Sequence, residues 1–324
     1  KEAAEKEFII ALDYDPRNSI ALKEYGRFLF NNARVEQSLE LITAAVEIDP
    51  YSPAVLWEYC LVTAVLQRVE TALDVCQRLK EIAPESPSGP YGLALSDMNM
   101  GDIARTSKNF VDAIERDPGD YEMIAGMARF WVLLGDAEEA DRWLQRAEAI
   151  GAGQPIPILS RLQLYEFREQ HDLAHDLLQK ILAQNPEDRH GSNYFFRNLW
   201  AFESARVGDY QSALETFQEA FPWAFETPLV APAGLANEVG EIIQIAALLK
   251  LADPTSDRSS QLLEIAESHN GKQNPRWGPW ATDLNLAAIA VVRGDHETAL
   301  TWLNKAWDKN WRLSWRMIML DNIV

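Results

Sequence analysis

Residues 16–50 read PRNSIALKEYGRFLFNNARVEQSLELITAAVEIDP, and this stretch is one period of a repeat that decides the fold. Prolines stand at positions 16, 50, 84 and 118, so that three successive intervals each span 34 residues. A fixed period of this size is typical of repeat arrays, because one unit cannot bury its apolar face without a neighbouring unit. Each proline ends a helix, since it cannot donate the backbone hydrogen bond that a further turn requires.

The same pattern of small and large residues precedes each of these prolines. The positions that precede Pro50 are Leu22, Tyr25, Gly26, Leu29, Ser38, Ile42 and Ala45. The corresponding second-helix positions elsewhere are Ala4, Phe8 and Ala11, and then Thr106, Phe110 and Ala113. The pattern resembles the tetratricopeptide repeat (TPR), in which one helix carries W-x2-L-G-x2-Y and a second, antiparallel helix carries A-x3-F-x2-A. The resemblance implies an all-α fold, namely a right-handed superhelix (α-solenoid) of helix-turn-helix repeats.

The repeat phase continues past Pro118. A fifth unit ends at Ala152 and a sixth at Pro186, whereas a seventh requires an insertion of five residues within 188–193. Residues 234–268 read as a divergent helix pair. We therefore predict a regular array of a half repeat plus five repeats over 1–187, and divergent repeats of the same continuous solenoid over 188–324. Because the chain opens inside a second helix, we also expect it to be an excised piece of a longer protein.

Four Gly-Asp pairs mark the turns inside these repeats. They stand at positions 101–102, 135–136, 208–209 and 294–295, each five residues before the first small position of a second helix. Glycine suits the left-handed residue that closes a helix, and aspartate suits the residue that caps the next helix at its N-terminus. The sequence therefore predicts a tight helix–helix turn at each pair.

The composition restricts the classes of function. The 324 residues are 47% hydrophobic and carry a formal net charge of −19, which argues against a nucleic-acid partner, because phosphate binding needs clustered Lys and Arg. No apolar run is long enough to insert into a membrane. No glycine-rich phosphate loop, G-x-S-x-G motif or Cys/His cluster occurs. We expect no catalytic residues and no cofactor.

Two pairs of side chains have a spacing that a disulfide or a metal site could use. Cys60 and Cys76 occupy facing core positions of one helical hairpin, so a disulfide is geometrically possible, but buried free thiols are the favoured prediction. His171 and His175 have the i, i+4 spacing of zinc metalloproteases. The residue after the first histidine is Asp172 rather than Glu, and a third ligand is missing. We therefore predict no metal site.

The remaining candidate is a partner-binding surface. In TPR arrays the concave face is lined by the first helix of each repeat, at positions that packing does not use. The resemblance places there Lys23, Arg27, Asn31, Trp57, Tyr91, Asn99, Arg129, Asn198 and Phe202. Aromatic anchors together with amide and basic groups suit an extended or helical peptide. We predict that a protein or peptide segment binds these residues.

The C-terminal part narrows the biological setting. Residues 294–321 resemble the closing segment of TPR regions in bacterial multidomain regulators, which accompany nucleotide cyclase or winged-helix domains. The resemblance implies a non-catalytic interaction or sensory module of a regulator, cytoplasmic or on the periplasmic side of a membrane anchor, with a homodimer, that is a second copy of the chain, as one candidate partner. Two alternatives remain open, namely the accessory region of a sulfotransferase or glycosyltransferase and an envelope-assembly scaffold.

Overall fold

A computed structural model describes residues 2–31, 34–66, 68–184, 192–232, 235, 238–271 and 280–309. All regular structure in these ranges is helical, with seventeen α-helices, one 3-10 helix and no strand. The chain forms two compact units, Lys1–Met127 and Ala128–Gln273 with Trp280–Val324, and the boundary between them falls inside one helix.

The first unit holds seven helices and the start of an eighth. Their bounds are α1 Glu2–Tyr14, α2 Ser19–Asn31, α3 Val35–Ile48, α4 Pro53–Val65, α5 Val69–Ile82, α6 Ser88–Met100, α7 Ile103–Arg116 and α8 Tyr121–Leu134. Within this unit α2 packs on α3, α4 on α5 and α6 on α7, so that each pair is one helical hairpin.

The second unit continues the same succession of helices. Their bounds are α9 Ala137–Ile150, α10 Pro155–Phe167, α11 His171–Gln184, α12 Ser192–Arg206, α13 Tyr210–Ala220, α14 Val239–Ala252, α15 Arg258–Asn270, α16 Ala281–Arg293 and α17 His296–Asp308. The pair α14 and α15 is the divergent hairpin that the sequence predicts within 234–268. The all-α fold of stacked TPR-type hairpins is thus confirmed within each unit.

Small residues of the first helix let the two helices of a hairpin approach closely. Gly26 on α2 lies so near α3 that a β-carbon there would be 2.5 Å from Cγ1 of Ile42. The equivalent residues Cys60 and Ala94 are fully buried. Phe110, which occupies the large position of the second-helix pattern, is also 0% exposed. These contacts explain why the small and large positions recur with the period of the repeat.

The Gly-Asp turns form as predicted. The four glycines have φ between 76° and 87°, in the left-handed region that glycine adopts without strain. The aspartates that follow them, Asp102, Asp136, Asp209 and Asp295, each accept a hydrogen bond from the backbone N–H three residues later. Local turn chemistry therefore fixes where each second helix begins.

The prediction for the cysteines was wrong. Cys60 on α4 and Cys76 on α5 form a disulfide, with their Cα atoms 5.2 Å apart, and both side chains are fully buried. The two positions lie where the helices of the hairpin come closest, so the sulfur atoms are within bonding distance rather than packed as separate thiols.

None of the helices in the described ranges combines the length and the apolar character that crossing a bilayer demands.

Candidate partner-binding surface

Two aromatic rings of the first unit form the centre of the candidate surface. Trp57 on α4 and Tyr91 on α6 occupy the same position of successive repeats, and their ring centroids are 6.0 Å apart. Both residues are partly exposed. Tyr91 also contacts the fully buried ring of Phe110, with centroids 5.9 Å apart. The core therefore holds the two rings in place on one side, while part of each ring is exposed to solvent. Such rings can serve as anchors for a bound segment.

Aliphatic side chains extend this pair along the helices. Leu61 follows Trp57 by one turn of α4, and Leu95 follows Tyr91 by one turn of α6, so each lies on the same helix face as its aromatic neighbour. Both leucines are partly exposed. We define the unit 1 surface as Arg27, Trp57, Leu61, Tyr91 and Leu95.

The basic residues on α2 are not free cations. Lys23 is 8% exposed, and its Nζ donates to Oε1 of Glu24 over 2.6 Å. The guanidinium of Arg27 pairs with the other oxygen of Glu24, and the Arg27 side chain remains 52% exposed. From the sequence alone Lys23 and Arg27 are two cations of the surface, but Glu24 lies between them and pairs with both. The i, i+3 spacing of Glu24 and Arg27 is the signal that predicts this pair.

A second carboxylate, Glu58 on α4, lies beside the same cations. Its residue is only 3% exposed. Burial raises the pKa of Glu58 above the ordinary carboxyl value, although the charges of Arg27 and Lys23 pull that pKa down. Two cations, Lys23 and Arg27, and two carboxyl groups, Glu24 and Glu58, therefore lie together where α2 meets α4. The unit 1 surface is less basic there than the sequence predicts.

Asn99 is engaged in holding two first helices together. Its Nδ2 donates a hydrogen bond of 2.9 Å to the backbone oxygen of Ala64, near the C-terminal end of α4. This bond satisfies one of the carbonyl groups that a helix end leaves without an intrahelical partner. The side chain of Asn31, the equivalent residue on α2, lies outside the described part of the structure.

The other three predicted residues belong to the second unit. Arg129 on α8 is exposed. Asn198 on α12 is 7% exposed, and its Oδ1 has no hydrogen-bond partner among the described residues. Phe202 packs edge-on against the buried ring of Phe217, with centroids 5.7 Å apart. Of these three residues, Arg129 is the most exposed to solvent.

The second unit also contains an ion-pair network that sequence reasoning missed. Arg161 on α10 donates from Nε and Nη2 to both oxygens of Glu148 over 2.8 and 2.6 Å, and from Nη1 to Asp141 over 2.6 Å. Arg168 donates to the backbone oxygen of Ala137 over 2.9 Å. The sequence does contain a signal for this network. Arg161 is a charged residue at the repeat position that Tyr25, Tyr59 and Leu93 hold in the first unit.

A shallow pocket of about 430 Å³ opens beside this network, at the meeting point of α9, α10 and α11. Its charged lining is Arg161 and Glu148, which already bind one another, and the rest includes Ile158, Tyr165 and Leu177. The bidentate ion pair of Arg161 and Glu148 links α10 to α9, so these two charged groups bind each other rather than a ligand.

The side chains of His171 and His175 lie beside different residues. His171 has its Nδ1 3.4 Å from Oε2 of Glu203, a residue 2% exposed, and the ring of His175 lies 5.5 Å from that of Trp200. Within the described ranges no group of three or more His, Cys, Asp or Glu side chains could hold a metal ion.

Comparison with known proteins agrees with this architecture. Residues 1–53 match the tetratricopeptide repeat family model. A search of curated protein sequences finds no match to the chain.

Three solved structures are similar in fold. A thermophilic TPR protein of Thermus thermophilus is 20% identical with a TM-score of 0.51, over 57% of this chain and 98% of that one. A tetratricopeptide repeat protein of Parabacteroides merdae is 12% identical with a TM-score of 0.54, over 87% and 98% of the two chains. A chain of the APC/C hetero-tetramer Cut9–Hcn1 is 16% identical with a TM-score of 0.60, over 99% of this chain and 58% of its own. The fold is therefore that of TPR repeat proteins.

Proposed function

We propose that the chain is a non-catalytic protein-interaction module of a regulatory protein, and that the unit 1 surface binds a peptide segment of its partner. The observation that carries this proposal is the ring pair of Trp57 and Tyr91, which the core holds 6.0 Å apart on successive first helices with part of each ring exposed. Rigid, half-buried aromatic rings are the side chains that most often dominate the free energy of binding between proteins.

The side chains of the unit 1 surface indicate which kind of peptide segment it would bind. Apolar side chains of the partner would pack on Trp57, Tyr91 and the two leucines, which offer no competing charge. Arg27 is the exposed cation at one end and would pair with an acidic group of the partner. Because Glu24 already holds this guanidinium, the acidic group contributes to orientation more than to affinity. A net charge of −19 makes a nucleic-acid partner unfavourable for the chain as a whole.

The disulfide bears on the compartment in which this binding occurs. Disulfides persist in oxidising compartments and are rare where thiols are kept reduced. Cys60 and Cys76 are bonded and fully buried. We therefore infer that the protein works in an oxidising compartment, which favours the periplasmic setting over the cytoplasm.

The proposal is tested by selecting peptides from a displayed library on the wild-type protein and measuring their affinity by calorimetry. Trp57→Ala should weaken the selected peptides by roughly thirty-fold, which corresponds to about 2 kcal/mol. Arg27→Ala should weaken them less and reduce the dependence of the affinity on salt.

Two matched variants serve as controls for the same measurement. Tyr51→Ala removes an aromatic ring that is 70% exposed outside the unit 1 surface. Arg142→Ala removes an exposed guanidinium that has an i, i+3 ion pair like that of Arg27. Both controls should bind as tightly as wild type. Peptides that bind the Trp57 variant unchanged but lose affinity for a control variant would refute the assignment of the surface.

A further inference from the structure

Glu58 on α4 is a buried carboxyl group beside the unit 1 surface. The residue is 3% exposed, and its side chain accepts no hydrogen bond from the residues that the structure describes. Burial raises its pKa, because the carboxylate loses hydration there that no hydrogen bond replaces. Glu58 can therefore take up a proton in response to a change in the charges around it.

The charges that act on Glu58 belong to α2. Lys23 and Arg27 lower the pKa of Glu58, and Glu24 raises it. Both cations are already paired with Glu24. Helices α3, α5 and α6 also pack on α4, but among the described residues they add no charge that shifts the pKa of Glu58. Two cations therefore face one carboxylate and one carboxyl group that can titrate.

The net charge of this junction between α2 and α4 depends on the proton of Glu58. When Glu58 is protonated, Lys23, Arg27 and Glu24 leave one positive charge in excess, and when it is ionised the four charges balance. Lys23 and Glu58 are each less than a tenth exposed, so water screens their charges less than it would on an open surface. The protonated junction is therefore better suited to an anionic group than the ionised one.

Arg27 is the member of the junction that a partner can reach, since its side chain is 52% exposed. Trp57, an anchor of the unit 1 surface, directly precedes Glu58 in α4, and α2 packs on α4. A segment that covers Trp57 thus lies beside the helix that carries the exposed guanidinium. A carboxylate that pairs with Arg27 adds a negative charge to the junction, which favours the protonated form of Glu58.

We propose that the segment bound on the unit 1 surface carries a carboxylate that pairs with Arg27, and that its binding is coupled to the uptake of a proton from solvent by Glu58. This inference rests on the proposed function, because it requires a segment that binds at Trp57.

The coupling determines how the affinity depends on pH. The pKa of Glu58 is then higher in the complex than in the free protein. Between these two values the complex holds a proton that the free protein has released, so the affinity rises as the pH falls through this window. Below about pH 4 the carboxylate of the partner is itself protonated, and the affinity falls again.

The probes are peptides selected on the wild-type protein from a displayed library and resynthesised with free or amidated C-termini. Calorimetry at one pH, in two buffers of different ionisation enthalpy, measures the protons taken up on binding. We expect uptake of up to about one proton per peptide, and an affinity at least about three-fold higher at about pH 5.5 than at about pH 7.5. Replacing Asp or Glu of the peptide by Asn or Gln should remove both effects if a side chain supplies the carboxylate, and amidation should remove them if the C-terminus supplies it.

Two variants of the protein test the role of Glu58. Glu58→Gln should bind the same peptides without proton uptake, because an amide cannot titrate, and at about pH 7.5 it should bind them at least as tightly as wild type. Asp97→Asn is the matched control. Asp97 is a buried carboxyl group of α6 whose pKa burial also raises, but it lies outside the unit 1 surface, so this variant should retain the proton uptake of wild type.

Failure of the coupling can be distinguished from failure of the proposed function. If Trp57→Ala leaves the affinity of every selected peptide unchanged, the proposed function fails, and the inference that rests on it fails as well. If the peptides lose affinity for the Trp57→Ala variant but their binding needs no carboxylate, or if proton uptake persists in Glu58→Gln, the coupling alone is overturned.

Discussion

Gly92 of α6 faces the sulfur of Cys60 on α4 so closely that a β-carbon on Gly92 would lie 2.1 Å from that sulfur. The same atom would lie 2.8 Å from the sulfur of Cys76. The glycine therefore leaves the space into which the disulfide of the preceding hairpin fits. Gly92 therefore permits both the packing of α6 on the preceding hairpin and the Cys60–Cys76 disulfide within that hairpin.

Gly92→Ala should destabilise the protein by about 1–3 kcal/mol, since the added methyl group overlaps both sulfur atoms and forces the helices apart. The same substitution at Gly240 of α14, where a β-carbon would meet nothing within 4 Å, is the control and should be neutral or mildly stabilising. Urea denaturation of both variants measures the difference. In a background that carries Cys60→Ala and Cys76→Ala the cost at Gly92 should fall. An equal cost in the two backgrounds would contradict the proposed overlap.

Replacing both cysteines by alanine should lower the free energy of unfolding by about 3 kcal/mol, because the bond closes a loop with a sequence separation of 16 residues. Without the bond, the unfolded chain regains the freedom that the loop had lost. Thiol titration of the unfolded wild-type protein, carried out without reductant, should find no free thiol, and titration after reduction should find two. Two reactive thiols in protein that has never met reductant would contradict the disulfide and the oxidising compartment inferred from it.

Phe110→Ala should cost about 3–5 kcal/mol, because the side chain is 0% exposed and fills the space between neighbouring hairpins. Repeat arrays are stabilised mainly by contacts between adjacent repeats, so the loss should be local. Hydrogen exchange should accelerate first in α6 and α7, which pack on one another, before the rest of the chain. Val111→Ala on α7, whose side chain is 39% exposed, is the matched control and should change exchange little. Uniform acceleration over both units would refute local coupling.

Glu58→Gln should change how stability depends on pH. Burial raises the pKa of Glu58 above its ordinary value of 4.5. Between that value and the raised pKa, the folded chain keeps a proton that the unfolded chain has released, so stability falls as pH rises. Glutamine cannot titrate, and the stability of wild type relative to this variant should therefore decrease from pH 4.5 upward. Denaturant titrations at a series of pH values measure this difference.

Asp141→Asn provides a comparison of opposite sign for the same experiment. Burial alone would raise the pKa of Asp141, but the hydrogen bond and charge of Arg161 lower it below the ordinary value of 3.8. The stability that Asp141 contributes is therefore present above that value and is lost as the pH falls through the lowered pKa. The stability of wild type relative to Glu58→Gln and relative to Asp141→Asn should therefore change with pH in opposite directions. A change in the same direction for both variants would contradict the opposite pKa shifts of Glu58 and Asp141.

The sequence by itself determined the architecture, because the signals that specify it are local and periodic. The prolines, the small residues such as Gly26 and the Gly-Asp turns act within one or two helices, and each of them forms the predicted contact or cap. Aromatic candidates for binding were also accessible to this reasoning, since Trp57 and Tyr91 occupy one repeat position on successive helices. Repeat phase is enough to place side chains on a common face.

Tertiary structure decided what each of those side chains does. Lys23 pairs with its neighbour Glu24, but its burial depends on the tertiary structure. Asn99 bonds to Ala64 because residues 35 positions apart meet only after the first helices have stacked. The bond between Cys60 and Cys76 likewise depends on how closely two helices approach, which composition cannot report. Secondary structure follows from neighbours along the chain, whereas the availability of a polar or sulfur atom depends on neighbours in space.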